Sequence, residues 1–197
     1  FNSPDEIYLA EKLKEIHPWF QMVRFARTGG EANSIAIRIA RAATGKEKIL
    51  VCGYHGWHDW YLATNLANKK NLDKMLIDGI SPLGVPKKLK GSTIPFNYNN
   101  YLQLEKIINQ NKKDICAVKM EVERNVPPNE NFLKKVRSLT RKKGILLIFD
   151  ECTSAFRENF GGLHMKYKVY PDLAVFGKAL GNGYAINAVI GKKKYMK

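Results

Sequence analysis

The sequence predicts an α/β fold built on a mostly parallel sheet with helices on both faces. Helix-period segments alternate along the chain with short apolar runs. Those runs are continuous rather than alternating, as strands buried on both faces require. Polar residues follow directly on several of them, where an open α/β sheet places its ligands. The 197 residues hold no internal repeat, low-complexity tract or linker, and that length can bury one sizeable core.

The elements follow in order. Over residues 5–16, Ile7, Leu9, Ala10, Leu13 and Ile16 form an apolar stripe that Pro18 stops, predicting a helix before a first short strand. In "VRFARTGGEANSIAIRIARAATGKEKILVCG", Ala32, Ile35, Ala36, Ile39, Ala40 and Ala43 keep i, i+3, i+4 spacing. Thr28 and Glu31 form a capping box at its start and Gly45 ends it. Residues 49–52 read as a buried strand. Residues 61–100 carry Gly, Pro and Asn throughout with little sustained period, and read as a long irregular excursion, which in a compact domain is more often functional than accidental. Order returns with a helix near Tyr101–Gln110, a strand over 115–120, a helix over 131–143 closed by Gly144, and a strand over 145–149. Residues 173–176 and 188–190 are two further strands.

Composition removes several functional classes. No apolar run is long enough to cross a bilayer, and the opening Phe1-Asn2-Ser3-Pro4-Asp5-Glu6 lacks the charged-then-apolar form of a secretory signal. Cys52, Cys116 and Cys152 lie far apart, without metal or redox spacing, so a reduced, cytoplasmic setting is expected. The net charge of +15 invites a nucleic-acid reading. Its excess is mostly lysine, in groups such as Lys69-Lys70, Lys112-Lys113 and Lys192-Lys193-Lys194. No zinc-finger spacing, aromatic RNA-binding signature or Arg-rich tract accompanies it, so neither nucleic acid nor membrane is expected as a partner.

Four features stand just beyond strands and should converge at one sheet edge: Tyr54-His55-Gly56, Glu121, Asp150, and Gly177-Lys178. Gly29 and Gly30 open a helix, where free N–H groups suit a phosphate, although glycine there is also an ordinary turn. Lys178, between an apolar strand and a glycine-rich turn, is either a solvated lysine or a desolvated, nucleophilic amine. Asp150 is either a cap for the next turn or a partner for a cationic ring nitrogen, and Tyr54-His55 either packs on the core or offers an aromatic face. Together a phosphate cradle, an aromatic face, an acid for a ring nitrogen and an amine are the parts a pyridoxal phosphate (PLP) site needs.

The segments "TGGEANSIAIRIARAATGKEKI", "CGYHGWHDWY", "GVPK", "LLIFDECTSAFR" and "PDLAVFGKALGNG" resemble, in order and spacing, the class III, fold-type I, PLP-dependent aminotransferases, in particular the glutamate-1-semialdehyde 2,1-aminomutase-like branch. The resemblance implies a seven-stranded sheet, PLP as cofactor, an amino donor and a keto or aldehyde acceptor as substrates, and a homodimer. It implies Lys178 as the amine that forms the Schiff base and then carries the proton between substrate Cα and cofactor, and Asp150 as the acid that keeps the pyridine nitrogen protonated. Gly29 and Gly30 would bind the phosphate, with Gly30 standing where the family more often has a hydroxyl residue. Tyr54 and Cys152 would face the two sides of the ring beside His55. Glu121 matches the acid of a family Glu-Pro motif, and Asn125 would reach the cofactor's phenolic oxygen. Glu151 is left as a structural carboxylate. Relatives carry an N-terminal segment and a C-terminal small domain, so residues 1–197 are expected to be the central cofactor domain of a longer enzyme. Aminomutase proper and a catalytically silent basic domain are the competing readings.

Overall fold

The computed structural model describes residues 3–73, 75–111 and 113–197; the readings that touched Phe1-Asn2 and Lys112 lie outside them. Seven strands make one sheet: β1 (Met22–Ala26), β2 (Lys48–Cys52), β3 (Thr93–Pro95), β4 (Ile115–Glu121), β5 (Leu146–Glu151), β6 (Leu173–Phe176) and β7 (Asn187–Gly191). Their order is β1-β7-β6-β5-β4-β2-β3. Strands β3, β2, β4, β5 and β6 are mutually parallel, and β7 runs antiparallel to both β6 and β1. This is the expected mostly parallel, seven-stranded α/β sheet.

Successive strand residues point to opposite faces, and both faces are covered. On one, Ile49, Val51, Ile148, Val175 and Val189 pack against Ala32, Ala36, Ile37 and Ala40 of helix α2 (Gly29–Thr44). Three alanines on that stripe let the helix lie close to the sheet. Helix α1 (Pro4–Ile16) begins at a Ser3–Glu6 capping box and buries Leu13 beside Phe20 and Phe176. On the other face, Leu50, Val118, Met120, Leu147 and Phe149 pack against Leu104, Ile108, Leu133 and Val136. Each fully buried side chain of this kind contributes about 1.5–3 kcal/mol over an exposed one. The Thr28–Glu31 capping box is present, and Gly45 and Gly144 end their helices in the left-handed conformation.

The excursion over 61–100 is more structured than its composition predicts. It holds the end of α3 (Asp59–Leu62), the whole of α4 (Thr64–Ala67), and the edge strand β3. Asparagine side chains do there what a backbone ladder does elsewhere. Asn65 donates to Ile80 O at 2.7 Å and accepts from Leu72 N at 2.9 Å, and Asn71 donates to Thr64 O at 2.8 Å. β3 escapes a pattern search because it is three residues long and ends on a proline, which only a sheet edge tolerates. β5 also runs past its expected end, since Asp150 pairs with Val175 and Glu151 with Phe176. Both acids therefore belong to the strand.

Candidate active site

The carboxyl ends of β2, β4, β5 and β6 bring Tyr54-His55, Glu121, Asp150 and Gly177-Lys178 to one edge, and the N-terminus of α2 meets them there. At that terminus Thr28 Oγ1 accepts from Glu31 N, while Glu31 Oε2 accepts from the N–H groups of Arg27 and Thr28. Ala32 N bonds Thr28 O. Gly29 and Gly30 are left as N–H groups with no acceptor one turn back, so the helix presents them and its positive end to the edge.

Asp150 is 5% exposed. His55 Nδ1 lies 2.8 Å from Asp150 Oδ2, and Cys152 N donates to Oδ1 at 3.1 Å. Lys119, in the middle of β4, sends its ammonium to 3.5 Å from the same Oδ2. The register explains this reach: Lys119 pairs with Ile148 and Glu121 with Asp150, so Lys119 stands two residues below the carboxylate on the same face. Burial alone would raise the Asp150 carboxyl, but Lys119 and then His55 outweigh it and hold it far below the usual carboxylate range. Burial in turn lowers both His55 and Lys119.

Glu121 is held from two sides, accepting Tyr54 N at 3.2 Å and an ion pair from Arg124. With Arg124 and Asn125 it lines a cavity of about 190 Å³ beside Tyr98. Asn125 itself is exposed. Tyr54, half-buried, packs edge-on against Tyr61 with ring centroids 6.0 Å apart. Burial, then Asp150, pushes the Cys152 thiol well up, so it is a neutral, apolar contact. Glu151 is fully buried and faces away from the edge, accepting from Ser154 Oγ, Leu163 N, His164 N and His164 Nδ1. It is the structural member of the acid pair.

Lys178 is exposed, not desolvated as its flanks allowed. It lies past the end of β6, on the one-turn helix Lys178–Leu180, with φ +46°. Its Nζ donates to Thr153 Oγ1 at 2.8 Å, which turns the amine back toward the end of β5. A left-handed conformation at a lysine is strain of the kind found at functional sites.

Four residues here were missed by the sequence reading. Asn187 bonds Arg27 O at 2.8 Å, and a Cβ at Gly177 would come within 2.0 Å of its Oδ1; it ties α2, β6 and β7 together. His58 lies over Gly30, its Nε2 only 2.8 Å from where a Cβ would stand, and is held by Ser34 at 2.9 Å. It fills the room of the side chain Gly30 lacks. Thr153 and Lys119 complete the set, and only Lys119 left a signal, as a charged residue inside the otherwise apolar run "ICAVKM".

A buried carboxylate with two hydrogen bonds, one ion pair and lone-pair capacity left, an amine on the adjoining strand end, and a helix N-terminus with open N–H groups define an α/β domain with the chemistry to hold an anionic, ring-nitrogen cofactor. The chain belongs to the aminotransferase class-III family, whose model matches residues 1–197. It is 39% identical to 3-aminobutyryl-CoA aminotransferase of Cloacimonas acidaminovorans over 95% of this chain and 43% of that protein. It is 40% identical to glutamate-1-semialdehyde 2,1-aminomutase of Methanosphaera stadtmanae over 98% of this chain and 46% of that one. Among solved structures, an omega-transaminase from Sphaerobacter thermophilus superposes with a TM-score of 0.87 at 32% identity, covering 100% of this chain and 46% of that one. A transaminase with PLP bound matches with the same TM-score at 25% identity. The chain thus spans a little under half the length of the relatives it matches.

Proposed function

We propose that residues 1–197 are the PLP-binding domain of an aminotransferase or aminomutase that moves an amino group between an amino donor and a keto or aldehyde acceptor as a homodimer. The observation that carries this reading is the pairing of Asp150 and Lys178 at the ends of two adjacent parallel strands, β5 and β6, over the N-terminus of α2. The residues fit the cofactor: Gly29 and Gly30 would hold its phosphate, Tyr54 and Cys152 would border its ring, Asp150 would receive its ring nitrogen, and Lys178 would attach it covalently. PLP supplies the electron-withdrawing ring on which amino-group chemistry depends.

The chain's own contributions are then distinct. Asp150, kept ionised in a buried site, orients the ring through one charge-assisted hydrogen bond. His55 fixes that carboxylate from the side. Lys178 moves the proton at the substrate's reacting carbon, and Thr153, which accepts from Nζ, sets where the amine waits. Glu121 and Arg124 secure the Tyr54 loop. Both an aminotransferase and glutamate-1-semialdehyde aminomutases stand among the relatives; the mutase reading is kept as the second.

The test is to load the full-length protein with PLP, reduce with borohydride and map the labelled peptide. Label on Lys178 supports the reading, and a bound cofactor with no label there overturns it. Assay with candidate amino donors and with glutamate semialdehyde then separates the transferase from the mutase.

A further inference from the structure

Lys119 has no role in the chemistry above, and its surroundings are unusual for a lysine. Its side chain is wholly buried in β4, 3.5 Å from Asp150 Oδ2, and Nζ has no hydrogen-bond partner among the described residues. A lysine is almost never buried to this degree unless paired, and here the pairing is the ion pair with Asp150. Around the carboxylate stand His55 from the β2 loop, Glu121 from the end of β4, Arg124 beyond it, and Cys152 on Asp150's own side of the turn. Lys178 is bonded to Thr153. Arg124 and Glu121 neutralise each other, burial lowers His55, and burial keeps the Cys152 thiol protonated. Asp150 and Lys119 thus face each other as a buried ion pair at the base of the site.

An ionised carboxylate offers about four lone-pair sites. His55 Nδ1 and Cys152 N bond two of them and Lys119 approaches Oδ2 as an ion pair without a hydrogen bond, so the carboxylate keeps capacity for a ring nitrogen. It arrives, however, at a carboxylate already neutralised from inside the sheet. We propose that Lys119 is a positioning residue for the cofactor: it holds Asp150 ionised from beneath and, as a competing cation on the same carboxylate, lowers the proton occupancy of the ring nitrogen that Asp150 receives. Lys119 thereby sets how strongly the ring withdraws charge from the substrate. A neighbouring like charge disfavours a second one, and inside a protein that repulsion is little screened. This inference rests on the proposed function.

The experiment uses full-length protein loaded with PLP labelled with ¹⁵N at the ring nitrogen, whose NMR shift reports protonation directly, across a pH series. Lys119→Met keeps the length of the side chain and removes its charge. The expected result is a ring-nitrogen midpoint higher by about one pH unit or more, with the borohydride label still on Lys178. Lys119→Arg, which keeps the charge, is expected to retain the wild-type midpoint. An unchanged midpoint in Lys119→Met with the Lys178 label intact overturns the role of Lys119 alone. A wild-type protein that takes no label at Lys178 overturns the proposed function together with this inference.

Discussion

Lys119 Nζ and Asp150 Oδ2 lie 3.5 Å apart with both side chains buried, so removing Asp150 strands Lys119. An aspartate that serves only a cofactor is dispensable to folding; this one is not. Asp150→Ala is expected to destabilise the protein by about 3–5 kcal/mol, because it leaves an ammonium buried without its counter-charge. The double variant Asp150→Ala/Lys119→Met is expected to recover most of that loss. Urea midpoints of the cofactor-free protein measure both.

A second buried pair is independent of the site. Arg137 forks onto Asp172 at 2.6 and 3.0 Å, and Asp172 also accepts Leu147 N and Lys192 Nζ. It joins the helix Phe132–Lys143 to the start of β6 and to the chain after β7. Asp172→Ala is expected to cost about 3–5 kcal/mol while borohydride labelling of Lys178 remains, as read by urea unfolding and peptide mapping.

The acid limb of stability follows from the same groups. Burial would raise Asp172, but its bonds to Arg137 and Lys192 hold it below the ordinary value, and Asp150 is held lower still. Between those folded-state values and the unfolded value of about 3.9, the unfolded chain binds more protons than the native one. Stability is therefore complete above about pH 4 and falls as pH drops through the folded-state values. Acid titration by circular dichroism is expected to show this, with a shallower fall in Lys119→Met, which removes the main group holding Asp150 down.

Two glycines at the edge should respond differently to the same methyl group. At Gly30 the atoms nearest a Cβ belong to the His58 imidazole, which can move aside by giving up its bond to Ser34; at Gly177 the nearest is Asn187 Oδ1 at 2.0 Å, on a side chain fixed by Arg27 O between two strands. Gly30→Ala is expected to cost under about 1 kcal/mol and Gly177→Ala about 1–3 kcal/mol. Thermal unfolding of the two variants checks the contrast.

How much of this was legible in the sequence depended on range. The four long helices were readable by their apolar stripes, six of the strands were readable as short strands between them, and Asp150 stood out because it follows such a strand. β3 was not, since three residues ending in Pro95 have no period and exist only through pairing with β2. The short helices of the excursion rest on asparagine contacts seven to fifteen residues apart. Lys178 was singled out by its flanks, but its exposure was not legible, because the turn that carries it projects beyond the strand end. Lys119 and Asn187 matter only through neighbours on other strands, which no local pattern encodes.

Strand β7, the one that runs against its parallel neighbours, has a mechanical consequence. A parallel strand after β6 would have needed a crossover that carries the chain away to the opposite edge. Because β7 runs back, the segment from Gly177 to Ile186 leaves and re-enters the sheet at the same edge, between the paired residues Phe176 and Ala188. Lys178 therefore rides on a short span moored at both ends, with Gly177 and Asn187 in contact at its foot. The amine's height above the sheet is fixed by two abutments rather than one, so a loosened mooring at Asn187 would displace the amine without touching it.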